Sequence, residues 1–484
     1  MKIWKSTVVK SHPSARVTGV IVSAVLALLA GGAGQVRAAD YYVGGDGASD
    51  RNPGTASQPF AAIQAAANVA TAEDFVNIRP GLGRPRRQPQ TGEPLMNDSQ
   101  RIIVCALALF SAGVSADEPY GARPTKGPKP QFQYEADGIR IAIPTANEPK
   151  VKRFGADSIR AAAKYLDDGA LAWTRGTKCV ACHTTGAYLL DRPMLTKQLG
   201  KPREEVLAEF IAGIQDERPP TKEKQGITYY PLAERAVWRA AGLVQWDKHV
   251  TGKTSAHTDR ALRAMLLQLS SHGGFLMADP VEIPYETTDL ELSQHAARAI
   301  VEAPGWLASL KDADILQRIE KLKTFLRNVK PRHDYDRAVR IGVASFLPEV
   351  VSHEDRAADI AMLWAKQHTD GGWSTRDMSD TRNWSAHMTD NVIKLIEGLP
   401  DAARPESDPF MTALAIVLLR ESGVPASDAR IQRGIAWLKA EQRESGRWWM
   451  HSLYRGTYHF STYIATAKAM QALAMCGEIP HLKP

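Results

Sequence analysis

Lys366-Gln367-His368-Thr369-Asp370-Gly371-Gly372-Trp373 returns as Glu441-Gln442-Arg443-Glu444-Ser445-Gly446-Arg447-Trp448. A looser third copy is Gln268-Leu269-Ser270-Ser271-His272-Gly273-Gly274-Phe275. Each copy closes a run whose apolar residues recur at three- and four-residue steps, such as Ile416 with Leu419 or Ile435 with Leu438, which is helical spacing. A Gln near a helix end can bond exposed backbone groups, a glycine permits the turn, and an aromatic then packs on the neighbouring helix. Glycine and proline punctuate further ends, as at Gly423-Val424-Pro425. Outward from these copies, the chain after Lys150 reads as twelve helices, from 157–170 to 459–476, with one placed at 385–399. Twelve helices on short turns suggest six pairs in an all-α repeat domain over residues 151–484.

The three copies resemble the QW repeats of squalene–hopene cyclases and their prenyltransferase relatives. The resemblance covers roughly residues 150–480 and implies an α/α toroid, an outer ring of helices around an inner one. It says little about chemistry. Trp373 and Trp448 read as core packing, with a place in a cavity wall as the alternative.

The chemistry of that family depends on residues that are absent from this chain. Class II cyclases protonate an alkene through Asp-x-Asp-Asp; the corresponding stretch here is Ser407-Asp408-Pro409-Phe410-Met411-Thr412-Ala413-Leu414. Asp408 without carboxylate neighbours is a poor strong acid and reads as a helix N-cap. Protein prenyltransferases use an Asp, Cys, His zinc site; Cys476 has no matched ligands in the sequence and reads as a buried thiol.

A different chemistry is written at Lys178-Cys179-Val180-Ala181-Cys182-His183. Cys-x-x-Cys-His is the c-type haem attachment signature. Two thiols three residues apart meet the two vinyl groups of one haem, and the adjacent imidazole reaches the iron. On this reading Cys179 and Cys182 form thioethers to one covalent haem c and His183 is the proximal iron ligand. Met194, eleven residues on, is the nearest methionine for the sixth position, with His257, His272, His295, His387, His451 and His459 as competitors. A thioredoxin-type redox pair, a zinc site and a chance grouping are the alternatives. The segment also resembles the Lys-Cys-x-x-Cys-His-Thr-Thr stretch of exported, cyclase-like repeat proteins, a likeness that implies haem attachment more than any reaction.

Haem attachment of this type requires export, and the N-terminal region carries two export-like plans. Residues 1–39 run from Lys2, Lys5, Lys10 and Arg16 through an apolar stretch at Val20–Ala30 to Ala38-Ala39. Residues 96–116 repeat the plan, with Arg101 before Ile102–Phe110 and Val114-Ser115-Ala116 as the cleavage triplet. Between them, residues 40–95 resemble, over 40–81, the opening of secreted right-handed β-helix proteins such as pectate lyases. One coil cannot bury its own apolar face, so this stretch reads as a fused or misassigned fragment. Residues 117–150, Pro- and Gly-rich at their start, read as a linker or extended arm.

Residues 1–116 hold eleven Lys or Arg against seven Asp or Glu, which leaves about +3 of the formal +7 on the body. That charge provides no broad basic surface and excludes nucleic acid as the expected partner. The expectation is an exported, periplasmic or extracellular monohaem protein without a stable transmembrane segment in its mature form. It would exchange electrons with a redox partner protein or oxidise a small-molecule substrate. The alternatives are an isoprenoid-binding or terpene cyclase-like protein lacking the acidic motif, and a secreted scaffold or polysaccharide-active protein.

Overall fold

The structure is a computed structural model. It describes residues 40–43, parts of 49–58, 75–78 and 132–482, except 216–218, 278–282, 284–287, 384–389, 399–401 and 452–457. Both export-like segments, Cys105 and His387 lie outside the described residues. The chain divides into two compact units, Met1–Pro94 and Leu95–Pro484. In the first unit, β1 (Asp40–Val43) pairs in parallel with β2 (Phe75–Ile78). In the second, β3 (Phe132–Ala136) and β4 (Ile139–Ala142) form an antiparallel hairpin inside the stretch that reads as an arm. Tyr134 on β3 is buried in the helical core.

The helices of the second unit alternate between two environments. The first set comprises α1 (Ala156–Thr177), α3 (Glu204–Ala212), α5 (Ala256–Leu266), α7 (Ala313–Asn328), α9 (His353–Ala365) and α12 (Ala429–Glu441). Apart from the second half of α1, where Gly169–Thr174 are all buried, these bury a single stripe, as α7 does at Ile315, Ile319, Leu322 and Leu326. The second set comprises α2 (Ala187–Asp191), α4 (Ala233–Trp246), α6 (Asp289–Glu302), α8 (Asp334–Phe346), α11 (Pro409–Glu421) and α13 (Tyr458–Met475), with α10 (Asp390–Glu397) preceding α11. These bury most of their surface; α11 buries ten of its thirteen residues. A helix apolar all round must have neighbours all round.

Contacts between elements supply those neighbours. α2 touches α4, α4 touches α6, α6 touches α8, α8 touches α11, α11 touches α13, and α13 returns to α2. The second set is therefore a closed inner ring, and each of its members follows an outer helix in the chain. The domain is an α/α toroid of six helix pairs. The short inner helix α2 falls just after the Cys-x-x-Cys-His motif, where the sequence shows no helical period. Its five residues are too few to register one.

The repeated turns clamp the two rings together. Gln367 Nε2 donates to the carbonyls of Gly371 in its own turn (2.9 Å) and Arg430 at the start of α12 (2.8 Å). Gln442 Nε2 donates to Gly446 (3.1 Å) and to Ser158 at the start of α1 (2.9 Å). Trp373 and Trp448 each donate their indole N–H to the carbonyl ten residues earlier, Leu363 and Leu438, at 2.7 Å. Their backbone N–H groups donate to Thr412 on α11 (2.9 Å) and Thr466 on α13 (3.0 Å), as Phe275 does to Ser293 on α6 (2.9 Å). Both indoles are fully buried, and neither lines a cavity described below. Gly371 (φ 97°) and Gly446 (φ 87°) hold a left-handed conformation against the next helix. A Cβ on Gly446 would lie 2.3 Å from the Ala162 nitrogen.

Candidate functional site: the central cavity and the Cys-x-x-Cys-His turn

The inner ring surrounds a partly open cavity of about 260 Å³. Part of its wall is apolar: Val339, Phe410, Leu414, Val417, Leu418 and Ile464, from α8, α11 and α13. The opposing part is polar and comes mainly from α6, where Glu291, Gln294, His295, Arg298 and Glu302 recur at three- and four-residue steps. A polar stripe on a helix whose remaining faces are buried can only face a cavity or a partner.

The charges of this wall are paired. Arg298 donates two bonds to Glu421 at 2.7 Å and one to Glu302 at 3.3 Å. Glu302 also holds Lys248 at 3.2 Å and accepts from Gln245 at 2.5 Å. Lys468 donates to Asp191 at 2.9 Å. Burial works to raise the Glu302 carboxyl, but Arg298 and Lys248 hold it below its ordinary value. Burial pushes Asp191 upward against the pull of Lys468. Burial, then Lys468 and Arg298, push the His295 imidazole down to about 3, so the ring is neutral at physiological pH. His249 is likewise pushed down to about 4 by burial and by Lys248.

The Cys-x-x-Cys-His residues occupy a tight turn between α1 and α2. Lys178 stands in the left-handed region at φ 50°, and Cys182–Gly186 make a π-helical turn. The turn is held by Trp173, whose indole donates to the Cys179 carbonyl at 3.0 Å, and by Thr185, whose hydroxyl accepts from the Ala181 N–H at 3.1 Å. A Cβ on Gly186 would come within 2.6 Å of the Trp238 ring, so the turn is packed directly on α4.

This packing sends the three motif side chains in different directions. Cys182 lines the central cavity, as does Met194 from the turn Pro193–Leu195. Cys179 lines a separate cavity of about 640 Å³, with Glu209, Arg235 and Arg239 in its wall. The His183 ring is buried and lines neither cavity. It lies 4.0 Å from the Phe460 centroid, tilted by 31°, and edge-on to Trp173 at 4.7 Å. Its Nδ1 is 2.8 Å from the Thr184 hydroxyl, itself 2.8 Å from the Tyr134 hydroxyl. In this arrangement the two thiols and the imidazole do not fit one haem, because they do not share a cavity; a fit requires residues 178–183 to turn.

Among the other residues singled out by sequence, Asp408 caps α11, accepting from the Met411 N–H at 2.8 Å and the Thr375 N–H at 2.5 Å. Burial pushes its carboxyl upward against those two bonds, and it lies outside the wall of the central cavity. Burial likewise pushes the Cys476 thiol up to about 11. His272 bonds Ser270 and Asp289 at the first repeat turn, a structural clasp. Of the histidines considered as iron ligands, His295 lines the central cavity, while His257 and His272 do not. Among the described residues, no group of three or more His, Cys, Asp or Glu side chains is placed to hold a metal ion, and no helix is long and apolar enough to cross a membrane. The ion-paired wall built from Asp191, Arg298, Glu302, Glu421 and Lys468 escaped the sequence reading. The one signal for it was the polar stripe along α6.

No protein-family model matches the sequence, and no curated protein matches it. Among solved structures the chain is similar to ent-copalyl diphosphate synthase from Streptomyces platensis, with a TM-score of 0.38 and 16% identity over 60% of this chain and 50% of the synthase. The match thus spans about half the length of that protein. It is also similar to the type II terpene cyclase MstE from Scytonema (TM-score 0.37, 15% identity, 66% of this chain and 98% of the cyclase). A wild-type glycosidase gives a TM-score of 0.35 and 12% identity over 67% of this chain and 87% of its own. Likenesses at this level decide nothing about the chemistry of the chain.

Proposed function

We propose that this protein binds a predominantly apolar small molecule of isoprenoid type in the central cavity of its toroid. The observation that carries the reading is the cavity itself: surrounded by the inner ring, apolar along α8, α11 and α13, and polar along α6. Such a site suits a molecule with a long hydrocarbon part and one polar end. Proton-initiated cyclisation is not part of the proposal, because Asp408 caps a helix and has no place in the cavity wall. The test is a titration of the full chain with farnesol, read by tryptophan fluorescence, to which Trp238 in the wall contributes. Saturable binding that is lost in Leu414→Arg is expected. No saturable binding would refute the reading.

A covalently held haem is the second reading. It is supported by the motif and by the shared wall of Cys182 and Met194. When bound, such a group supplies one-electron redox chemistry. Cys179 and Cys182 would hold it through thioethers and His183 would reach its iron, provided that the peptide 178–183 turns. Exchange of electrons with a redox partner and an exported, periplasmic location belong to this same proposal. Expression with a c-type maturation system should give a denaturation-resistant haem spectrum that disappears in Cys179→Ala and Cys182→Ala. A colourless, folded protein would eliminate it.

A further inference from the structure

We propose that Gln294 and His295, adjacent on α6, are the head-group site of the central cavity, and that they take the uncharged, oxygen-bearing end of an isoprenoid, an alcohol or carbonyl, in preference to a diphosphate. The inference rests on the isoprenoid reading above and specifies the polar end of the ligand.

Both side chains line the cavity, and neither makes a hydrogen bond to a described residue. Their neighbours differ in this respect: Arg298, Lys468, Lys248 and Gln245 each hold a carboxylate. His249 also lacks such a bond, but it sits beside the exposed Lys248 at the edge of the cavity. A polar group turned into a largely apolar cavity without a protein partner takes its partner from whatever fills that cavity. An amide and a neutral imidazole together can both donate to and accept from one hydroxyl or carbonyl.

The imidazole is also held in place. Its ring packs on Trp238 with centroids 5.0 Å apart, and Trp238 is in turn seated against Gly186. A ring fixed before the ligand arrives loses little freedom on binding.

Charge selects against the diphosphate. The cations of the described wall are each occupied: Arg298 by Glu421 and Glu302, Lys248 by Glu302, Lys468 by Asp191. A diphosphate entering there would face these carboxylates and would have to break an existing ion pair to gain a cation. An alcohol meets no such opposition.

The experiment is a fluorescence titration of the full chain at pH 7 with farnesol, farnesyl diphosphate and the hydrocarbon farnesene. Farnesol should bind about tenfold more tightly than either of the others, the usual scale of one hydrogen bond left unmade. His295→Leu and Gln294→Leu should each weaken farnesol about tenfold and leave farnesene unchanged, while His295→Gln, which keeps a hydrogen-bonding atom, should retain most of the affinity. Tighter binding of the diphosphate than of farnesol overturns the proposal. So does unchanged farnesol affinity in both leucine variants, which would mean that these groups serve only water. If none of the three compounds binds, the cavity reading itself has failed and the head-group site fails with it.

Discussion

The side-chain amide of Gln442 donates to the backbone carbonyl of Ser158 at 2.9 Å across 284 residues of sequence, joining the last outer helix to the first. The same amide bonds Gly446 of its own turn, so one planar group ties the end of α12 to the start of α1. Gln442→Ala removes both bonds and leaves two buried carbonyls with one partner fewer. A loss of about 2 kcal/mol is expected from urea unfolding. A similar loss in Gln367→Ala, which makes the equivalent pair of bonds, would establish the clamp as a property of the repeat.

Gly446→Ala and Gly423→Ala should separate two effects that sequence alone would merge. Both glycines have positive φ, 87° and 94°. A Cβ on Gly423 meets open space, so only backbone strain of about 1 kcal/mol is expected. A Cβ on Gly446 would press on the backbone of Ala161 and Ala162, and this variant should unfold several degrees lower than Gly423→Ala in a thermal scan. Equal melting temperatures would contradict the close approach.

His295 should make the protein sensitive to mild acid. The folded imidazole titrates near 3, depressed by burial and by Lys468 and Arg298, whereas an unfolded histidine titrates near 6.5. Between those values the unfolded chain binds a proton that the folded chain refuses, so stability falls as pH falls through that window. From pH 7 to pH 5 the contribution of this one residue is about 2 kcal/mol. His295→Gln should lose correspondingly less stability than the parent chain over that interval, measured by urea unfolding at both pH values. An identical loss in the two proteins would show that His295 is not the group responsible.

Asp408→Ala should behave as the loss of a helix cap. Removal of the acceptor for Met411 and Thr375 is expected to cost about 1–2 kcal/mol. Binding of farnesol should be unaffected, because Asp408 does not line the cavity. Lost binding with stability preserved would reverse this assignment.

Gly186→Ala tests the link between the cysteine turn and the cavity. The added methyl would strike the Trp238 ring, on which His295 packs. A cost of about 1–3 kcal/mol and a shifted tryptophan emission are expected. An unshifted spectrum would mean that Trp238 is not seated against the turn.

How far the sequence could be read depended on whether each feature is local. The repeats ending at Trp373 and Trp448 declared helical pairs because Gln, Gly and an aromatic at fixed spacing describe a turn within ten residues of chain. The Asp408 cap was legible for the same reason: its partner Met411 is three residues away. The hairpin at 132–142 was not, because its burial is decided by Tyr134 meeting Trp173, Phe460 and Tyr463 from distant helices. Cys179 and Cys182 show the limit most sharply. Their spacing states a chemistry, but the left-handed Lys178 and the π turn after it decide which cavity each side chain meets. Periodicity and turn chemistry act along the chain, so the helix pairs of the ring were already written in the sequence. That Arg298 finds Glu421, that Lys468 finds Asp191, and that His295 faces the central cavity depends on the folded ring. Those relationships come from closing the ring, which brings together side chains that no spacing rule connects.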